Sequence, residues 1–335
     1  MAKTKFTPTE DLTNLLKASG SKNRAESITA THELAQALQG PLREGVLSGA
    51  ILDNIYQVVK LEGHSTPEFP LHFLAPGTEK EHIAYSIPNH GYIPQRHVEG
   101  DYVMVPTYDI GSSIDWNLKY ARYARWDIMT PAMQVLEAGF TKKINDDGWQ
   151  TIITAAADRN IVVLDSDAQT GQFTKRLVSL MKVIMRRNGG GNSTSVNRGA
   201  LTDLYMSPEA MEDIRNWNVD QVDEVTRRQI LVAAGDSAMN SIFGVNLHVL
   251  DELGEGQEYQ LFYDDELNGS LPGGDVELVI GLDLRKNDSF VMPVTEPLEI
   301  FVDDNLHRMK RAGLYGWQSH GFAVLDNRRV ILGSL

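Results

Sequence analysis

The sequence predicts an α+β fold, with helices through most of the chain up to Gly235 and strands dominating after it. Three patterns carry that reading. Met133, Leu136, Phe140 and Ile144 step by three and four, and Ile152, Ile153 and Ala156 continue the stripe, which marks one long helix. Phe173, Leu177, Leu180, Met181 and Ile184 form the apolar stripe of a second helix. VELVIGLDL then alternates, with Val276, Leu278, Ile280, Leu282 and Leu284 on one strand face, and LEIFVDD repeats the pattern through Leu298, Ile300 and Val302.

Taken in order, Thr7-Pro8 can open a helix with Leu12, Leu15 and Leu16 on one side, and TATHELAQALQGP gives a second helix that should stop at Gly40-Pro41. Small and polar residues separate these pieces, so the first 60 residues or so read as a detachable arm. From 63 to 115 the character changes. Prolines fall at 67, 70, 76, 88, 94 and 106, interleaved with aromatics and histidines, as in a long extended excursion. DYVMVPTYDI alternates like a strand, but Pro106 lacks a ladder donor, which favours an edge strand or a bulge.

Thr130 as N-cap and Pro131 in the first turn would open the long helix, which runs to about Ala157 over roughly 40 Å. Gly139 and Gly148 each cost it about 1 kcal/mol relative to Ala, so packing must hold it. The second helix, in QFTKRLVSLMKVIMRR, carries Lys175, Arg176, Lys182, Arg186 and Arg187 on its other face with no acid among them. NGGGNSTSVNRG has the composition of a mobile loop. LTDLYM reads as a strand, Ser207-Pro208 as the start of a helix bearing Met211, Ile214 and Trp217, and a further helix spans about Val222 to Ala234. At the end, Phe322 to Leu325 and Val330 to Leu332 flank Asp326-Asn327-Arg328-Arg329, the pattern of a terminal hairpin.

A chain of 335 residues is long enough for two or three lobes with a sizeable buried core. It has no cysteine, which removes disulfides, thiolate metal sites and cysteine nucleophiles. MAKTKFTPTEDLTN has no apolar core of signal-peptide length, and no run of about 18 apolar residues occurs, so we expect a soluble protein that is not exported by the usual route. The net charge of −14 argues against a dedicated nucleic-acid reader. Charge is segregated: Asp251 to Asp288 holds eleven acids against Arg285 and Lys286, a net of −9.

No catalytic constellation emerges. His64, His72, His82, His90 and His97 crowd into the extended excursion, but spacings of seven to ten residues on irregular chain do not suit a metal site. Contact-surface histidines are the reading they favour. Gly189 to Gly191 lack the Lys-Ser or Lys-Thr of a phosphate loop, no GxGxxG or GxSxG is present, and Asp264, Asp265 and Glu266 lack EF-hand spacing and read as a solvated acidic turn. No cofactor is expected. The basic helix face could meet phosphates, but an acidic patch on another subunit is the favoured partner.

The order of parts resembles the major capsid protein of tailed phages, the Hong Kong ninety-seven-like fold. Residues 1–62 look like that family's N-terminal arm and 63–115 like its extended loop. The span 116–199 resembles the peripheral domain with its spine helix, 200–290 the axial domain, and 291–335 the closing strands of the peripheral domain. LTDLYMSPEAMEDI, IFGVNLHVLDEL and MKRAGLYGWQSHGFAVLDNRRVILGSL carry the resemblance. It implies a non-enzymatic shell subunit forming pentamers and hexamers around packaged double-stranded DNA, located in the virion and assembled in the host cytoplasm. Implied partners are copies of itself, a portal, and scaffolding or decoration proteins, with DNA nearby and no membrane. No long charged N-terminal segment of the built-in scaffold type is present, so a separate scaffold, or none, is implied. The residues expected at subunit contacts are His82, His90, His97, Pro88, Pro94, Lys175, Arg176, Arg186 and Arg187. Rival readings are an encapsulin-type compartment, a metal-dependent hydrolase using the histidine-rich 64–97 segment, and a small oligomeric binding module.

Overall fold

A computed structural model describes residues 10–49, 51–61, 66–70, 102–168, 171–188, 199–217, 240–267, 269, 271–272, 277–285, 288–303 and 305–335. The chain forms two compact units, one from 1–68, 104–148 and 291–323, the other from 69–103, 149–290 and 324–335. Helix α1 is Glu10–Ser19, α2 Arg24–Gly49, α3 Leu118–Arg122, α4 Trp126–Ala157, α5 Lys175–Asn188 and α6 Pro208–Asn216. Strands β2 (Glu68–Pro70) and β3 (Tyr102–Met104) make a short ribbon.

The sheet of the first unit runs β1 (Gln57–Lys60), β10 (Phe290–Val302), β11 (Arg311–His320), β4 (Tyr108–Asn117), with β12 (Ala323–Val324) also on β10. Pro106 splits the expected DYVMVPTYDI strand into β3 and β4, because it has no N–H to give a ladder. β11 pairs with β4 without a break from Arg311↔Asn117 to His320↔Tyr108. One sheet face bears Ile114, Trp116, Ile300, Val302, Ala312 and Leu314, which pack with Leu16, Leu34, Leu38 and Leu42 of α1 and α2 and Met133 of α4. Two expectations fail here. The first helices are not a detachable arm, since Leu16 and Leu34 are fully buried in this cluster. Nor does α2 stop at Gly40-Pro41; Pro41 forfeits one bond to the carbonyl of Ala37, and burial of Leu42 in the same cluster offsets it.

Helix α4 begins at Trp126, four residues before the expected cap, and encloses Pro131. Its stripe is as read: Met133, Leu136, Phe140, Ile144, Ile152, Ile153 and Ala156 are all buried, joined by Trp149. Gly148 is required by packing. A Cβ there would lie 2.1 Å from Cδ1 of Leu52, and its carbonyl accepts from the Tyr56 hydroxyl at 2.9 Å.

The second unit's sheet has the order β5 (Val162–Leu164), β13 (Val330–Ser334), β9 (Leu278–Leu282), β6 (Asp203–Met206), β8 (Val245–Val249), β7 (Asn240–Ile242). The terminal hairpin is not formed. β12 pairs with β10, while β13 lies parallel to β5 and antiparallel to β9. The intervening Asn327–Arg329 turn is a 3-10 turn capped by the Asp326 carboxylate, which accepts from Arg328 N, and this geometry does not fold the two runs onto each other. β13 is buried along its whole length, as an interior strand must be. β9 is likewise buried at every residue, so the one-faced alternation expected for it is replaced by two buried faces. Val276 and the helix expected at 222–234 lie outside the described residues.

Asp283, fully buried, anchors the start of β13. It accepts from Ala200 N at 2.9 Å, from both arms of Arg285 at 3.0 and 2.9 Å, and lies 3.3 Å from Arg329. Arg329→Ala strips one cation from this buried carboxylate, and the expected loss is about 3 kcal/mol in denaturant unfolding. Truncation after Gly316 deletes β12, β13 and the last four residues of β11, and should leave no cooperative thermal transition.

His320 closes β11 with 0% exposure and neither ring nitrogen hydrogen-bonded. Its ring lies against Tyr108 and Phe322, while Asp147 and Lys143 of α4 are its charged neighbours. Burial lowers its pKa from the usual 6.5 to about 4. Because the folded value is below the unfolded one, the stability is fully present above pH 6.5 and is lost as pH falls toward 4. The loss should approach about 3 kcal/mol, and His320→Phe should flatten the pH dependence of the denaturant midpoint over that window.

Candidate assembly surfaces

The expected contact residues of the basic helix sit on α5, and the structure explains how that helix is set. Thr174 caps it, with its hydroxyl accepting from Leu177 N at 3.2 Å and donating to Asp165 at 2.6 Å. Phe173 N donates to Asp213, and the Trp217 indole donates to the Phe173 carbonyl, so α6 fixes the entry to α5. Leu177, Val178, Met181 and Met185 are buried against the sheet, with Leu180 and Ile184 at the margin. The stripe is therefore rotated toward Val178 and Met185, which the sequence reading did not include.

On the opposite face the five cations divide. Arg176 is engaged within its own subunit, paired with Asp167 and 3.6 Å from Asp165. Lys175 is exposed and has an interaction of its own. Lys182 donates to the carbonyl of Phe243. Arg186 and Arg187 are exposed at the C-terminal turn, where positive charge is favoured by the helix dipole. Among the described residues neither has an ion-pair partner.

Phe243 was not legible as a site residue. It tips a two-residue hairpin between β7 and β8, where Ile242 pairs with Val245. Phe243 has φ +53° and Gly244 φ +74°, the left-handed pair of a type I′ turn. Gly suits the second position; a bulky aromatic at the first is strained. Phe243 is nonetheless 58% exposed, and Val183 beside Lys182 on α5 is 45% exposed. The only signal in the sequence is the dipeptide Phe-Gly between two β-prone runs.

A short helix at Glu258–Leu261 continues into a π turn at Phe262–Glu266. Tyr259 and Tyr263 are buried beneath it, and Leu261 is 46% exposed. Glu255, Glu258, Asp264, Asp265 and Glu266 are exposed around Leu261. The expected acidic turn is thus a solvent-facing helical surface with an apolar centre.

In the first unit, the sheet face opposite the helices carries a smaller aromatic patch. Phe301 lies 4.5 Å from Trp317 and 5.6 Å from Tyr315. Arg311 pairs with Asp115 beside it at 2.8 Å.

His82, His90, His97, Pro88 and Pro94 lie outside the described residues, as do His64 and His72. Among the described residues no group of three or more His, Cys, Asp or Glu side chains is arranged to hold a metal, and no helix is long and apolar enough to cross a membrane. His248 and Asp203 form a 2.9 Å pair on adjacent strands, joined by Asn246 at 3.1 Å, but they tie β6 to β8, with Tyr205 stacked on the imidazole.

No protein-family model matches the chain, and no curated protein matches it in sequence. Solved structures do. One from Microbacterium phage Oxtober96 aligns with a TM-score of 0.58 at 9% identity, covering 86% of this chain and 90% of that one. The cyanophage Pam1 capsid asymmetric unit aligns at 0.52 and 11% identity, covering 84% and 88%. The capsid of Myoviridae phage XM1 aligns at 0.50 and 11% identity, covering 85% and 90%. At such identities the likeness is one of fold, and it spans nearly the whole of each chain: the protein has the α+β tailed-phage capsid fold of the Hong Kong ninety-seven type.

Proposed function

We propose that this chain is the structural subunit of a phage head, assembling into pentamers and hexamers that close an icosahedral shell around packaged double-stranded DNA. The observation that carries the reading is the capsid fold, matched along most of the chain's length. What the chain offers to partners supports it: small apolar centres bordered by charge on helices, a hairpin tip and a sheet face. A shell subunit needs many repeated weak contacts, and heterologous contacts between identical copies close into rings when the rotation permits.

In this reading, 1–62 is the arm, 63–115 the extended loop, 116–199 the peripheral part with the spine helix α4, 200–290 the axial part and 291–335 the closing strands. His82, His90, His97, Pro88 and Pro94 of the loop would touch neighbouring subunits, where proline's fixed φ reduces the entropy lost on docking. Lys175, Arg186 and Arg187 of α5 face outward for the same purpose, and Arg176 holds its own loop. The protein acts by geometry, not by catalysis. A portal and scaffolding or decoration proteins would complete the particle, assembled in the host cytoplasm.

Mass photometry with negative-stain imaging of the purified chain, at low salt and under crowding, tests this. Closed shells or rings of five or six copies are the expected result. DNA inside marks a phage head, and an enzyme cargo marks an encapsulin-type compartment. A monomer or dimer under every condition sinks the shell reading.

A further inference from the structure

We infer that the hairpin tip at Phe243, together with the outer face of α5, docks onto the acidic helical surface around Leu261 of a second copy of this chain. The inference deepens the shell reading, and its role in ring closure rests on that reading.

The two surfaces match in chemistry. The first has an apolar centre, Phe243 and Val183, bordered by Lys182, Arg186 and Arg187. The second has an apolar centre, Leu261, bordered by Glu255, Glu258, Asp264, Asp265 and Glu266. From Asp251 to Leu284 the sequence has no lysine or arginine, so this stretch carries charge of one sign only. Apolar centres supply the contact area and the charged borders set orientation and exclude wrong partners.

Phe243 precedes β8, and the acidic helical surface follows it. β8 itself is five residues, about 17 Å of extended chain, so the two surfaces are reached from opposite ends of the strand and are free to pair between copies. The contact is then heterologous, each copy giving one surface and receiving the other, which is the arrangement that builds rings.

The backbone adds an independent pointer. Phe243 occupies a left-handed conformation that costs an aromatic residue free energy, and its ring is more than half exposed at the hairpin tip. Lys182 holds the Phe243 carbonyl and fixes the tip in this pose. A rigid aromatic presented on a fixed turn loses little entropy on docking, as interface anchors do.

Because the chain has no cysteine, the contact can be trapped cleanly. Phe243→Cys with Leu261→Cys in one chain, oxidised at assembling concentration, should give a ladder of disulfide-linked dimers, trimers and larger species. Each single variant should give no ladder, and an equimolar mixture of the two singles should stop at dimers. Arg186→Glu with Arg187→Glu in the double-cysteine chain should lower the ladder yield by at least about tenfold. Adding Asp265→Lys and Glu266→Lys should restore it. All these positions are solvent-facing, and unchanged thermal melts would confirm that the fold is intact. A double-cysteine chain that yields no more than the singles overturns the inference, even where the wild type forms shells. A ladder from protein that never forms rings or shells upholds the contact and rejects the shell.

Discussion

The second unit depends on one placement: β13 inserted between β5 and β9. The last residues of the chain thereby join strands made far earlier, with Leu332 beside Val162 on one side and Ile280 on the other. The space for this is shaped by glycine. A Cβ on Gly281 would come within 2.9 Å of Ile331, and one on Gly333 within 2.9 Å of the Met181 sulfur. Two glycines on one sheet face let α5 settle close, and Met181 of α5 fills the gap. The main chain stays paired to its end, since Leu335 N donates to the Glu277 carbonyl at 3.1 Å. Such non-local pairing makes folding slow.

The first unit obeys the same constraint. β11 brings Leu314 and Ala312 to a core otherwise made by α1, α2, β4 and β10, and without it β4 and β10 have no common neighbour. Residues 311–334 therefore complete both sheets, β11 in one and β13 in the other. Between them, Asp326 receives both Arg328 N and its guanidinium, which turns the chain out of one ladder and into the next. The nearby arginines hold the Asp326 carboxyl below its usual pKa range against the opposing effect of burial. Burial also penalises the Arg159 guanidinium, whose hydrogen bond to the Asn327 carbonyl ties the end of α4 to this turn.

Periodicity made much of this legible. The stripes of α4 and α5, the Ser207 cap of α6 and the strand in LTDLYM are local signals, and local energetics decide them. The failures share a cause. Gly40-Pro41 stops an isolated helix, yet here Leu42 reaches a core built largely from residues beyond 110. Two apolar runs around Asp-Asn suggest a hairpin because proximity in sequence is all that a pattern records, whereas β13 has better partners in β5 and β9. Surfaces are the hardest to read. In β10 and β11 the alternation Ile300, Phe301, Val302 and Leu314, Tyr315, Gly316 does not reveal that the aromatics take the outer face; register and helix packing settle that. Of the candidate contact residues, the basic face of α5 was visible as a charge pattern. That Arg176 is already paired depends on the turn just before α5, and that Phe243 stands beside Lys182 depends on a segment distant in sequence.

The contrast between core and surface gives the physical logic of the molecule. Its interior is specified by steric fit, as at Gly148 against Leu52 and Gly281 against Ile331, where one extra carbon has nowhere to go. Its exterior holds part-exposed apolar side chains: Phe243, Leu261 and Val183, with Trp317 in an aromatic patch beside Phe301 and Tyr315. Each such site is small and bordered by charge of one dominant sign or by paired charge, so none forms the broad greasy patch that drives indiscriminate aggregation. A contact built on such a site is weak alone and selective in orientation. Weak, oriented contacts let misplaced subunits leave, while repetition around a closed assembly multiplies their effect. The fold closes two sheets with residues 311–334 and leaves small charged-rimmed anchors outside, so its interior is fixed by fit and its exterior stays selective by charge.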